Sequence, residues 1–103
     1  MRVLTTTIKR EWFREIVAKR KRVEYRELKP YWTNRLEGLK APFLLRLING
    51  MQSEAPEVTV VVDRVRRNTR EERYEFHLGR IRDVKHWDRK REEPLRRLAK
   101  RST

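Results

Sequence analysis

The feature that most narrows what this chain can fold into is a series of short β-prone runs separated by turn signals. Residues 3–8 are rich in Thr and β-branched side chains and predict a first strand. Residues 22–27 predict a second, with Val23 and Tyr25 on one face and Arg22, Glu24 and Arg26 on the other. The Val23 face reads as core. Residues 43–48 form an almost continuous apolar run and predict a central third strand. Asn49-Gly50 marks a turn after it. Residues 58–65 contain Thr59-Val60-Val61-Val62, the most β-prone stretch, and predict a fourth strand. Residues 74–81 predict a fifth. There Phe76 and Leu78 share a phase that Ile81 leaves, so Gly79 marks a bulge. Glu75 and His77 alternate with the aromatics and read as solvent-facing.

Helical periodicity is confined to short segments. Trp12, Phe13, Ile16 and Val17 make one apolar stripe over residues 9–18, with Thr7 as a candidate cap. Pro30 opens a short helix or turn, Tyr31-Trp32-Thr33-Asn34-Arg35-Leu36, that Gly38 would end. Leu95, Leu98 and Ala99 have helical spacing behind Pro94 and predict a basic helical tail. The expected architecture is α+β: a small five- to six-stranded mixed β-barrel, mostly closed, with one or two short helices. Residues 1–87 form the barrel and residues 88–103 the tail.

Charge sets the class of partner. Lys and Arg total 28 against 15 acids, a net charge of +13. Such a surface favours polyanions, above all RNA or a nucleotide, although charge alone does not separate RNA from DNA. A soluble surface without a partner is the bland alternative. No cysteine is present, which removes disulfides and thiol nucleophiles. No apolar run approaches the ~20 residues of a membrane span, and the first residues are too polar for a signal-peptide core. A monomeric cytoplasmic protein without a cofactor is the expectation. His77 and His86 are too far apart in the chain to suggest a metal site.

One stretch has a family likeness. Ile16-Val17-Ala18-Lys19-Arg20-Lys21-Arg22-Val23-Glu24-Tyr25-Arg26 resembles the signature of the ASCH family, which joins a helix end to a strand as roughly Gly-x-Lys-x-x-Glu-x-Arg. Glu27-Leu28-Lys29-Pro30-Tyr31-Trp32 continues the likeness, in the manner of the small phage and bacterial members. Arg46-Leu47-Ile48-Asn49-Gly50, followed by Ala55-Pro56-Glu57, resembles a second family stretch. The resemblance implies a barrel related to the PUA fold and a role in RNA metabolism. Some members remove the acyl group of N4-acetylcytidine, and ribonuclease activity is attributed to others. In the amidohydrolase type the motif lysine is catalytic, which falls on Lys21. Glu24 stands where those members carry a hydroxyl residue, and Lys19 where the motif has glycine. A third, acidic partner has no single counterpart in this chain.

The candidate chemistry centres on Lys21, Glu24 and Arg26. A lysine among cations can attack or polarise a carbonyl, a carboxylate can activate water, and a guanidinium can grip a phosphate. Lys21 joins the other two only if it precedes the strand, because in a regular strand it points the opposite way. The alternative is an exposed strand with a weak Glu24–Arg26 pair. Arg22 flanks this trio. Tyr31 and Trp32, beside Lys29 and Arg35, suit base stacking with phosphate contact, or one of the rings plugs the barrel. Arg46, Asn49 and Gly50 would shape a rim. Asp63 is either the missing acid or a strand-end residue paired with Arg64 or Arg66. Arg89, Arg91, Arg96, Arg97, Lys100 and Arg101 would add phosphate contacts from the tail. Two other functions fit the same charges: a hydrolase using this cleft, and a basic module that captures an acidic protein.

Overall fold

The computed structural model describes residues 1–95. Its elements in order are β1 (Val3–Thr7), α1 (Arg10–Val17), β2 (Val23–Glu27), α2 (Pro30–Leu36), β3 (Phe43–Ile48), β4 (Glu57–Asn68), β5 (Arg73–Lys85), β6 (Trp87–Asp88) and β7 (Glu93–Pro94). Five strands form one mixed sheet in the order β1-β3-β4-β5-β2. β1 runs parallel to β3, and the remaining pairs are antiparallel. The sheet curls into a half-barrel around a core that includes Phe13, Phe43, Phe76, Leu45, Leu47, Val58, Val60 and Val62. β3 lies inside the sheet as its apolar run predicts, and Phe43, Leu45 and Leu47 alternate inward.

β4 and β5 are longer than their apolar runs suggested. Their ladder shifts register between Thr59 and Arg64, opposite the segment that holds Gly79. The expected bulge is therefore present. The Asp63 carboxylate lies directly over Gly79, so a side chain at residue 79 would have to displace it. Beyond the irregularity the two strands continue as a charged hairpin arm closed by residues 69–72.

The barrel is open between β1 and β2, the two sheet edges. α2 lies across that seam. Trp32 meets Phe76 edge-on, Thr33 hydrogen-bonds Tyr74, and Arg35 donates to the Thr5 carbonyl. Arg26 of β2 donates to the Thr7 carbonyl of β1 and ties the two edges directly. Side chains thus replace the ladder that a fully closed barrel would have.

α1 buries Phe13, Ile16 and Val17. Thr7 stays in β1, and the N-cap position belongs to Lys9, which makes no side-chain cap bond. At the other end Lys19 takes a left-handed conformation, φ 65°. Its N–H donates to the Ile16 carbonyl and that of Arg20 to the Glu15 carbonyl, the paired bonds of a Schellman motif. The lysine therefore adopts the backbone shape that glycine would supply.

The expected tail begins differently. Trp87 pairs with Pro94 and Asp88 with Glu93, so residues on both sides of the expected boundary share a small hairpin. Pro94 does not open a helix; it lies in β7. Trp87 packs edge-on against Phe13, and Arg14 and Arg20 reach Glu92. Leu98, Ala99, Arg96, Arg97, Lys100 and Arg101 lie outside the described residues. Among the described residues no helix is long and apolar enough to cross a membrane.

Candidate functional site

The seam between β1 and β2 opens into a cleft of about 660 Å³. That is within the ~300–1,000 Å³ common for small-ligand sites. Thr7, Ile8 and Lys9 form one wall, and Trp12 projects from the first turns of α1. Glu24, Tyr25, Arg26 and Glu27 of β2 form the other wall, with Trp32 among the lining residues.

β2 keeps its two-residue alternation, but its sense is opposite to the expectation. Glu24 is buried, 5% exposed, whereas Tyr25 is 43% exposed. The reason lies in what fills the interior at this edge. Phe76 and Trp32 supply the apolar volume, so the inward side chains of β2 need only neutralise each other. Arg26 donates twice to one Glu24 oxygen, at 3.0 and 2.7 Å. Lys21 Nζ lies 3.5 Å from the other oxygen. Lys21 meets the condition set for it: it precedes the strand. Its ammonium also lies over the Trp12 ring at 5.1 Å and the Tyr25 ring at 4.8 Å.

The trio is thus assembled, and Glu24 is occupied on both oxygens. What the cleft wall offers a ligand is the partly exposed Trp12 and Tyr25 rings and the Arg26 guanidinium; Lys21 lies behind that lining, with its ammonium against both rings and Glu24. Arg26 lies over Trp32 at 5.2 Å and Arg35 over the same indole at 5.5 Å. Cation–π contact of this kind holds planar groups in fixed orientation.

The other expected residues divide. Trp32 is the ring that plugs the barrel, 7% exposed. Tyr31 is outside the cleft and accepts a hydrogen bond from Arg35. Lys29 pairs with Glu27 at the rim. Arg22 faces a different depression. Arg46 is not in the cleft; it makes a two-point pair with Glu57 at 2.9 and 2.8 Å. That pair holds the Glu57 carboxyl below the usual carboxylate range. Asn49 donates to the Ile8 carbonyl and accepts from Arg10, so it fixes the β1–α1 wall from behind. Gly50 has φ 118°, and a Cβ there would meet the Gln52 side chain. Arg91 pairs loosely with Glu93 on the surface, and Arg89 borders the same depression as Arg22. Asp63 is exposed against Gly79 and does not line the cleft, so it supplies no third acid there.

Glu75 corrects the expectation of a solvent-facing residue. It is buried, held by Asn68 and Arg73 with Arg66 at 3.8 Å. The Asn68 amide and then the Arg73 guanidinium keep its carboxyl below the usual range.

Sequence reasoning missed Trp12 and Tyr25 as cleft residues. Trp12 is 44% exposed. One signal was available: Trp12 lies ~100° around the helix from Phe13, at the margin of the stripe that Phe13, Ile16 and Val17 already fill. Comparison with known protein families, with curated proteins and with solved structures finds no match for this chain.

Proposed function

We propose that the protein binds RNA, with one nucleotide seated in the β1–β2 cleft of a PUA/ASCH-like half-barrel. The observation that carries this reading is the Trp12–Lys21–Tyr25 arrangement beside Arg26. Exposed rings flanking a cation suit an unpaired base with its phosphate, since stacking takes the base face and the cations take the charge. The net charge of +13 and the ASCH-like signature at these residues support the same ligand class.

The test is titration of each ribonucleoside monophosphate, followed by calorimetry, with wild type and Trp12→Ala. Stacking is worth ~1–3 kcal/mol per base by alanine substitution, so the variant should bind roughly fivefold to 150-fold more weakly. Equal affinity in the two proteins contradicts the reading.

A second reading has its own observation: Lys21 and Glu24 lie 3.5 Å apart within reach of the cleft. On that reading the cleft is hydrolytic, acting on an acylated cytidine or an RNA phosphodiester. Incubation with N4-acetylcytidine should then release cytidine in wild type and none in Lys21→Ala.

A further inference from the structure

The cleft is only the middle of a longer basic surface. The outward face of the β2–β5–β4 ladder places Tyr25, Glu75 and Arg66 in one row, because Tyr25 pairs with Glu75 and Glu75 with Arg66. Arg73, two residues from Glu75 on the same face, covers the Tyr25 ring at 4.0 Å. Tyr25 lines the cleft, so Arg73 places the first of the arm's cations against the cleft wall. Arg66, Arg70 and Arg73 border an open depression of about 680 Å³ on the arm. Glu75 is one of two acids in that wall, the other being Glu71. Glu75 is buried beneath Arg66 and Arg73; it accepts a hydrogen bond from Arg73, whereas Arg66 lies 3.8 Å away and stays largely exposed. Among the described residues Arg70 is in no ion pair.

At the opposite end of β2 lies a second depression, of about 420 Å³. Lys19, Arg22 and Arg80 wall it, and no carboxylate belongs to that wall. Asp63 touches its margin at Gly79. The two clusters lie toward opposite ends of β2: Arg22 immediately precedes the strand, and Arg73 pairs with Glu27 at its end.

Resting on the cleft reading, we infer that the ligand is a single-stranded nucleic acid lying along β2, not a free nucleoside. One unpaired base enters at Trp12 and Tyr25. The phosphates on either side reach Arg66, Arg70 and Arg73 at one end and Lys19, Arg22 and Arg80 at the other. A free nucleoside would use neither cluster. A duplex would keep its bases stacked away from the rings, so it would use the cations alone.

The experiment measures the anisotropy of a short fluorescent single-stranded RNA across a salt series, alongside mononucleotide calorimetry. Proteins are wild type, Arg66→Gln/Arg70→Gln, Lys19→Gln/Arg22→Gln and the charge-retaining Arg66→Lys/Arg70→Lys. Arg73 is left intact because it hydrogen-bonds the buried Glu75, which Arg66 only approaches at 3.8 Å. Each Gln pair should reduce the slope of log affinity against log salt by about 1.4, two phosphates at ~0.7 each. The Lys pair should retain the wild-type slope. Mononucleotide affinity should be the same in all four, because none of these side chains lines the cleft. An unchanged slope in either Gln pair, with mononucleotide binding intact, overturns the inference and spares the cleft. A reduced slope in both Gln pairs, with no mononucleotide binding by wild type, would retain the track and remove the cleft reading.

Discussion

Glu24 shows how one residue can set the chemistry of a seam. It is almost fully buried, yet its charge is balanced by Lys21 and Arg26 on separate oxygens. Removing a fully buried partner costs ~3–5 kcal/mol. Lys21 and Arg26 retain some contact with water, which lowers that penalty. Glu24→Gln should therefore destabilise the fold by about 1–3 kcal/mol in urea unfolding; an unchanged midpoint would mean that the seam does not depend on this charge. Lys19 allows the opposite prediction. A left-handed conformation costs a non-glycine residue ~1–2 kcal/mol, and glycine gives back part of that gain as chain entropy. Lys19→Gly should stabilise by roughly 0.5–1 kcal/mol in the same assay.

At the scale of elements, the short hairpin of β6 and β7 is held by contacts of unequal strength. Arg20 bridges Glu15 and Glu92 on the surface, and such pairs contribute little, ~0–1 kcal/mol. Trp87 is buried against Phe13 at 4.8 Å. Truncating a core aromatic costs ~3–5 kcal/mol. Trp87→Ala should lower the melting temperature far more than Glu92→Gln, and similar losses would show that the ion pair dominates. The acids also set a pH limb. Glu15, Glu57, Glu75 and Glu92 all have carboxyls lowered from an ordinary value of 4.5 by arginine or amide donors. A lowered folded-state value means stability that is full above 4.5 and is lost as pH falls through the lower values. Melting temperature should be level at neutral pH and fall in acid below about 4.5, with a shallower fall in Glu75→Gln.

The elements were the most legible part of the sequence. β3 matched its apolar run, and the Gly79 irregularity followed from the loss of phase at Ile81. Legibility failed where charge took the place of apolar side chains. β2 has the expected alternation, but the faces are exchanged because Glu24 and Arg26 satisfy each other inside while Tyr25 turns out to the cleft. Glu75 was misread for the same reason: burial under arginines leaves no hydrophobic signal. The end of β4 and the β6–β7 hairpin were unreadable because their pairing depends on distant strands and on Trp87 reaching Phe13. At the site, the Lys21–Glu24–Arg26 grouping came from the family resemblance; spacing alone favoured an exposed charge pair and admitted Lys21 only if it preceded the strand. Trp12 and Tyr25 were not, since both look like core aromatics until the seam between β1 and β2 is known to be open.

Over the whole molecule, a half-barrel left open at one seam gathers rings and cations there, and the long β4–β5 arm extends the positive surface beyond it. On the proposed reading, the seam locates the ligand and charge holds it. Affinity alone tests this poorly, because a chain of net charge +13 holds many polyanions at low salt. Location is decisive. The most direct measurement is an amide and indole NMR titration with a ribonucleoside monophosphate at physiological salt. The prediction is that shifts concentrate at Thr7, Lys9, Tyr25, Arg26 and the Trp12 indole, with little change on β3. Shifts confined to the arginines of the arm, or spread evenly over the basic surface, would contradict a nucleotide site in the cleft.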